Sequence, residues 1–127
     1  MNAKQSKEKL INNVVIFKGV LYGFVFMIIL TFIMALFSGF LFSIGSERLN
    51  ILFLIISVII LLFIGFYVAR NVENNGWLNG GFAGLIYMII IILLGTISMP
   101  ISISNILLLA FIGMIIGSIG GIIGINL

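Results

Sequence analysis

Few residues in this chain can do chemistry, and none lies deep in a hydrophobic run. The charged side chains are Glu8, Glu47 and Glu73 with Lys4, Lys7, Lys9, Lys18, Arg48 and Arg70, all at the flanks of apolar stretches. Histidine and cysteine are absent. That removes the imidazole that would carry protons or bind zinc, copper or haem, and the thiolate that would act as a nucleophile or form a disulfide. Chemistry on phospholipid or peptide at a membrane would need a histidine, a carboxylate pair or a metal site. We therefore expect no enzyme, no catalytic residue, no cofactor and no metal. The net charge of +3, with most basic residues near one end, suits an anionic lipid surface and not nucleic acid.

The most distinctive chemistry lies between Arg70 and Tyr87. Asn74-Asn75-Gly76 is a turn signal, because Asn and Gly tolerate positive φ, and Trp77 follows where an amphipathic ring can sit among headgroups. Arg70 precedes the turn, where its cation would meet the negative end of a helix dipole. The segment reads as a hairpin turn on the cytoplasmic side. It is also the one place where a docking surface would form, from Arg70, Glu73 and Trp77. The hydroxyls of Thr31, Ser38, Ser57, Thr96 and Ser118 are expected to bond back to their own helices.

Glycine is the other patterned residue, with 15 copies. Lipid tails are as apolar as leucine, so membrane helices associate where small residues let backbones approach. Such stripes are Gly19 and Gly23 with Ala35 and Gly39, Gly65 with Ala69, and Gly80 and Gly84 with Gly76 one turn earlier. Gly113, Gly117 and Gly121 form one face of the last helix, and Gly120 and Gly124 a neighbouring one, so this helix offers two sides. Of these, Gly19, Gly23, Gly80, Gly84, Gly113, Gly117 and Gly121 are the candidates for helix packing or an oligomer interface. Leucine at Gly117 or Gly121 is expected to disrupt association.

The elements that carry these groups follow from hydropathy. Hydrophobic residues make up 63% of the 127 residues and charged ones 7%, and the mean hydropathy is +1.44, beyond what a water-soluble surface allows. Roughly 20 apolar residues in a helix cross the hydrocarbon layer. Four such runs extend over about 19–42, 49–69, 80–97 and 105–124. The fold class is all-α, an integral membrane four-helix bundle, with a short basic cytoplasmic segment at 1–17 and a single transmembrane domain at 18–127. Ser104 or Asn105 would cap the last helix. The first run is too long for a signal peptide's core and reads as a retained helix. Lys4, Lys7, Lys9, Lys18 and Arg70 fall on one side if both termini are cytoplasmic, leaving only Arg48 outside, so we expect a multi-pass cell-membrane protein in that orientation.

A weak internal likeness links 19–29 to 80–90, and Asn50-Ile51-Leu52 to Asn105-Ile106-Leu107. If it is a true repeat, the chain is two helical hairpins in parallel orientation, related by an axis along the membrane normal. The four-helix multidrug exporters depend on a glutamate in their first helix, which here offers only Thr31 and Ser38. The glycine-alanine-arginine pattern of small fluoride channels is missing, as is the charged carboxyl tail of a holin.

The run from Gly65 through Arg70 to Gly76-Trp77-Leu78-Asn79-Gly80-Gly81 and on to Gly84-Leu85-Ile86-Tyr87, with the Lys18-Gly19 start of the first helix, resembles an uncharacterised family of small four-helix membrane proteins of low-GC Gram-positive bacteria. Asn79 stands where that family more often carries histidine. The resemblance implies topology and cellular setting, and transfers no catalytic residue. Abundant packing surfaces and scarce reactive groups lead us to expect a non-enzymatic accessory or scaffold subunit. Its partners would be the lipid bilayer, anionic headgroups on the cytoplasmic side, and a second copy or another membrane protein. The alternative is a small oligomeric channel or facilitator for an ion or small solute.

Overall fold

A computed structural model describes residues 11–37, 39, 45–98, 100 and 102–127. Among the described residues four helices follow one another: α1 (Asn13–Leu36), α2 (Ser46–Arg70), α3 (Gly76–Ser98) and α4 (Ile103–Asn126). Each holds 23 to 25 residues and is long and apolar enough to cross a membrane. Short links at the α2–α3 and α3–α4 turns make successive helices antiparallel neighbours. The fold is the expected all-α four-helix bundle.

The helix ends depart from the hydropathy reading for chemical reasons. α1 starts six residues before Gly19 because Asn12 caps it, its Oδ1 accepting the Val15 N–H at 3.3 Å. It stops at Leu36; the expected end at Phe42 lies outside the described residues. Glu47 and Arg48, read as part of a polar link, are wound into the first turn of α2 after Gly45, whose φ is 86°. A carboxylate in that turn complements the positive end of the helix dipole. Arg70 closes α2 as expected. Ser102, and neither Ser104 nor Asn105, occupies the cap position of α4, with no side-chain cap bond; the Ser102 carbonyl accepts the Ile106 N–H at 3.1 Å.

Helices α2, α3 and α4 form the tight part of the bundle, with the α3–α4 contact the most extensive and α2–α4 next. Glycine sets the spacing. A methyl group added to Gly117 would lie 2.5 Å from the Gly80 carbonyl oxygen, and one on Gly80 would lie 2.7 Å from that of Gly117. Gly84 likewise abuts the Gly113 carbonyl, and an added methyl on Gly121 would reach the Gly76 oxygen at 2.6 Å. On its other side α4 meets α2: Gly65 faces the Gly117 carbonyl, Gly120 faces that of Leu62, and a methyl on Gly124 would lie 2.6 Å from that of Phe66. Backbone lies against backbone here, where dispersion between densely packed atoms replaces the missing hydrophobic force.

Helix α1 is held differently. It packs on α2 and α3 through side chains: Gly19 meets Val68 and Gly23 meets Ile64, within an apolar core of Ile16, Val20, Ile60, Leu61, Ile64, Val68, Ala83 and Tyr87. In both hairpins the first helix thus turns a glycine pair, Gly19/Gly23 or Gly80/Gly84, toward the second. Among the described residues nothing lies within 4 Å of a methyl added to Gly39, and Ala35 is exposed. Past Gly23 a cleft of about 200 Å³ opens between α1, α2 and α3, bordered by Met27, Thr31, Met34, Ser57 and Met88 among others. The Thr31 and Ser57 hydroxyls on it face their own helices, Thr31 donating to the Met27 carbonyl and Ser57 to that of Phe53 at 2.9 Å, and the Tyr87 ring also borders it. Thr96, elsewhere on α3, donates to Leu93 at 2.7 Å, whereas Ser118 lies against Gly81. Ser38 is outside the described residues.

Candidate interaction surface at the loop end

Asn75 adopts φ 55° between α2 and α3, the left-handed conformation its residue type tolerates. Its carbonyl accepts the N–H groups of Leu78 and Asn79, both at 3.0 Å, which starts α3 one residue later. Gly76 then fits beneath Ile125 of α4 and beside Ala69 of α2, where a methyl would lie 2.5 Å from Ile125 Cδ1 and 2.9 Å from Ala69 Cβ. The turn is therefore clamped from both neighbouring helices.

The polar group that organises this end is Asn79, only 1% exposed. Its Oδ1 accepts the Asn12 N–H at 2.7 Å, and its Nδ2 donates to the Asn75 carbonyl at 3.0 Å and toward that of Asn74 at 3.4 Å. One amide thus ties the start of α1 to the α2–α3 turn. A buried polar group must be satisfied in this way or it destabilises the fold. Asn12 serves twice, donating its backbone N–H to Asn79 and capping α1 with its side chain. This staple is absent from the sequence reading, which took Asn79 only as a departure from the usual residue. The local part of its signal was present: Asn75 and Asn79 stand four apart across a helix start, and Asn12 precedes a hydrophobic run.

The candidate docking residues divide from this buried staple. Trp77 is 49% exposed on the first turn of α3, and Arg70 and Glu73 are exposed. Arg70 lies over the Phe66 ring, 5.6 Å from its centre, a cation–π contact that steadies the guanidinium without covering it. Asn71 donates to the Tyr67 carbonyl at 2.7 Å. Tyr22 and Tyr67 touch edge to face at 4.9 Å on the α1–α2 side. The surface can bind through a cation, a carboxylate and an indole.

The candidate glycines all lie inside the chain. Gly19, Gly23, Gly80, Gly84, Gly113, Gly117 and Gly121 are buried against other helices of the same protein. Methyl groups added at Gly117 and Gly121 would lie 2.5 and 2.6 Å from the carbonyl oxygens of Gly80 and Gly76, so both positions pack helices within the chain. Among the described residues nothing lies within 4 Å of a methyl added to Gly95 or Gly39.

Residues 12–124 match the family described as "Protein of unknown function (DUF3792)", a match that begins at the α1 cap and takes in all four helices. The chain belongs to the DUF3792 family. No curated protein and no solved structure matches it significantly. For this DUF3792 protein the family, with four apolar helices, supports a multi-pass membrane protein and lipid contact, and assigns no activity.

Proposed function

We propose that the chain is a non-enzymatic accessory or scaffold subunit of a bacterial cell membrane, with both termini cytoplasmic and the α2–α3 turn as its docking surface. The observation that carries this reading is the division of labour at the loop end. Asn12, Asn75, Asn79 and Gly76 fix the turn from within, while Arg70, Glu73 and Trp77 are left outward on a rigid base. Rigid presentation of a few exposed groups favours recognition, because little freedom is lost on binding. The glycine contacts act as a zipper inside the subunit. Lys18 and Arg70 on this side favour anionic headgroups, and Glu47 and Arg48 offset each other at the opposite end.

A channel has less to support it. The α1–α2–α3 cleft is bordered mainly by Met, Leu, Ile and Phe, and the aliphatic hydroxyls on it, Thr31 and Ser57, are bonded to backbone, whereas permeation needs oriented polar groups.

The test is crosslinking in native membranes with a photoreactive residue at Trp77, comparing the natural chain with Arg70→Ala/Glu73→Ala. We expect one foreign membrane protein at a fixed ratio to the chain, lost in the double variant while its melting temperature is unchanged. Recovery of the chain alone, or of the same partner with the double variant, would reject docking at this surface.

A further inference from the structure

We infer that the groove between α1 and α2 holds a single anionic phospholipid, its phosphate between Lys18 and Arg70 and an acyl chain on the aromatic floor below. This deepens the headgroup contact proposed above and depends on the chain's residence in a membrane, not on a protein partner.

The groove is apolar, lined by Tyr22, Val25, Phe26, Ile29, Phe63 and Tyr67. Phe26 and Phe63 stack across it with ring centres 5.7 Å apart, and the Tyr22–Tyr67 pair crosses it nearer the loop end. The helices are antiparallel, so moving toward the loop end means descending in number on α1 and ascending on α2. Lys18 lies four residues before Tyr22 and Arg70 three residues after Tyr67, each on the same helix face as its tyrosine. The register is fixed by Gly19, whose added methyl would lie 3.6 Å from Tyr67 Cδ1 and against Val68. At about 1.5 Å rise per residue, Lys18 and Arg70 both sit within one turn beyond that contact.

Both cations are exposed, and among the described residues neither pairs with a carboxylate. Arg70 has only the Phe66 ring beneath it, which leaves its N–H edge available. From the headgroup level inward the order is therefore cation pair, phenol pair, then apolar aromatic floor. That order matches a lipid read from phosphate through its ester region to its chain. A transmembrane helix of a partner would instead present apolar side chains or its own cations to Lys18 and Arg70. Charge complementarity thus selects an anionic lipid, whose acyl chain would lie along the apolar residues from Tyr22 to Ile29 of α1.

The experiment uses the full chain in non-ionic detergent, with lipid retention counted by native mass spectrometry. The probes are phosphatidylglycerol and phosphatidylcholine with identical acyl chains. Each Lys or Arg near an anionic surface contributes about 1 kcal/mol, so two cations correspond to roughly a 30-fold preference for phosphatidylglycerol, saturating at one lipid per chain. Lys18→Gln/Arg70→Gln should abolish the preference, and Lys18→Arg/Arg70→Lys, which keeps the charge, should retain it. Val25→Trp, at a position 52% exposed, should displace the lipid by filling the groove while leaving both cations in place. Arg48→Gln, at the far end, should leave retention unchanged. Equal retention of the two lipids, or an undiminished preference in the double glutamine variant, would overturn the proposal. Tight binding that survives Val25→Trp would do so too, because it would show a cationic rim with no chain site. Val25→Trp leaves Arg70, Glu73 and Trp77 in place, so it should lose the lipid and keep crosslinking at Trp77, and in that variant the two readings fail separately.

Discussion

Alanine at Gly117 and alanine at Gly95 put the same methyl group on two helices with opposite surroundings. At Gly95 nothing among the described residues lies within 4 Å of it, and replacing glycine in a helix by alanine favours the helix by about 1 kcal/mol. At Gly117 the methyl would lie 2.5 Å from the Gly80 carbonyl oxygen and 3.1 Å from Gly84 Cα, where ordinary contact begins at 3.4 Å. Both obstacles are backbone and cannot rotate away. α3 and α4 must part by about 0.9 Å at this point, the difference between 2.5 and 3.4 Å. A gap of roughly 0.5–1 Å forfeits a quarter to a half of each contact's dispersion energy, and overpacking of this kind costs about 1–3 kcal/mol. The propensity gain is common to both variants and cancels in their comparison. Equilibrium unfolding in mixed micelles with increasing SDS should therefore place Gly117→Ala about 1–3 kcal/mol below Gly95→Ala. Equal stabilities, or Gly117→Ala the more stable, would refute the backbone seam.

Two further outcomes follow from the loop end. Asn79→Ala removes the acceptor of the Asn12 N–H and a donor to the Asn75 carbonyl, and leaving such buried groups unpaired costs about 1–3 kcal/mol; hydrogen exchange should accelerate at Asn12 while amides of the α3–α4 seam keep their protection. The chain has no cysteine, so Glu73→Cys and Pro100→Cys can each be labelled alone in intact cells; a membrane-impermeant maleimide should reach position 100 and not 73, and the reverse pattern would invert the proposed topology.

Four helices were legible in the sequence because each spans a bilayer's thickness in apolar residues, a property that needs no knowledge of neighbours. The two-sided character of α4 was legible for a similar reason: the spacing of Gly113, Gly117 and Gly121 against that of Gly120 and Gly124 defines two faces by geometry alone. Spacing could not say what each face meets. Gly39 follows Ala35 at the same interval as Gly84 follows Gly80, yet among the described residues a backbone lies opposite Gly80 and Gly84 and nothing lies within 4 Å of a methyl on Gly39. The start of α1 departs from hydropathy where side-chain capping by Asn12 outweighs it, whereas α4 begins after Ser102 with no side-chain cap bond. The buried staple had a readable half, Asn75 with Asn79, and an unreadable half, because its link to Asn12 is set by how α1 docks and not by any local pattern.

That link also orders events during synthesis. The Asn12 N–H and its acceptor on Asn79 are 67 residues apart in the chain. At roughly 5–20 residues per second, α1 leaves the ribosome some 3–13 s before the group that will hold it exists. During that interval the first helix must persist among lipids or the insertion machinery with its cap formed but its tether unmade. The three later helices, joined through glycine backbone, can close on one another as soon as α4 arrives. The helix made first is thus fastened at its capped end only after the third begins, and a chain stalled before Asn79 would hold α1 through its contacts with α2 alone.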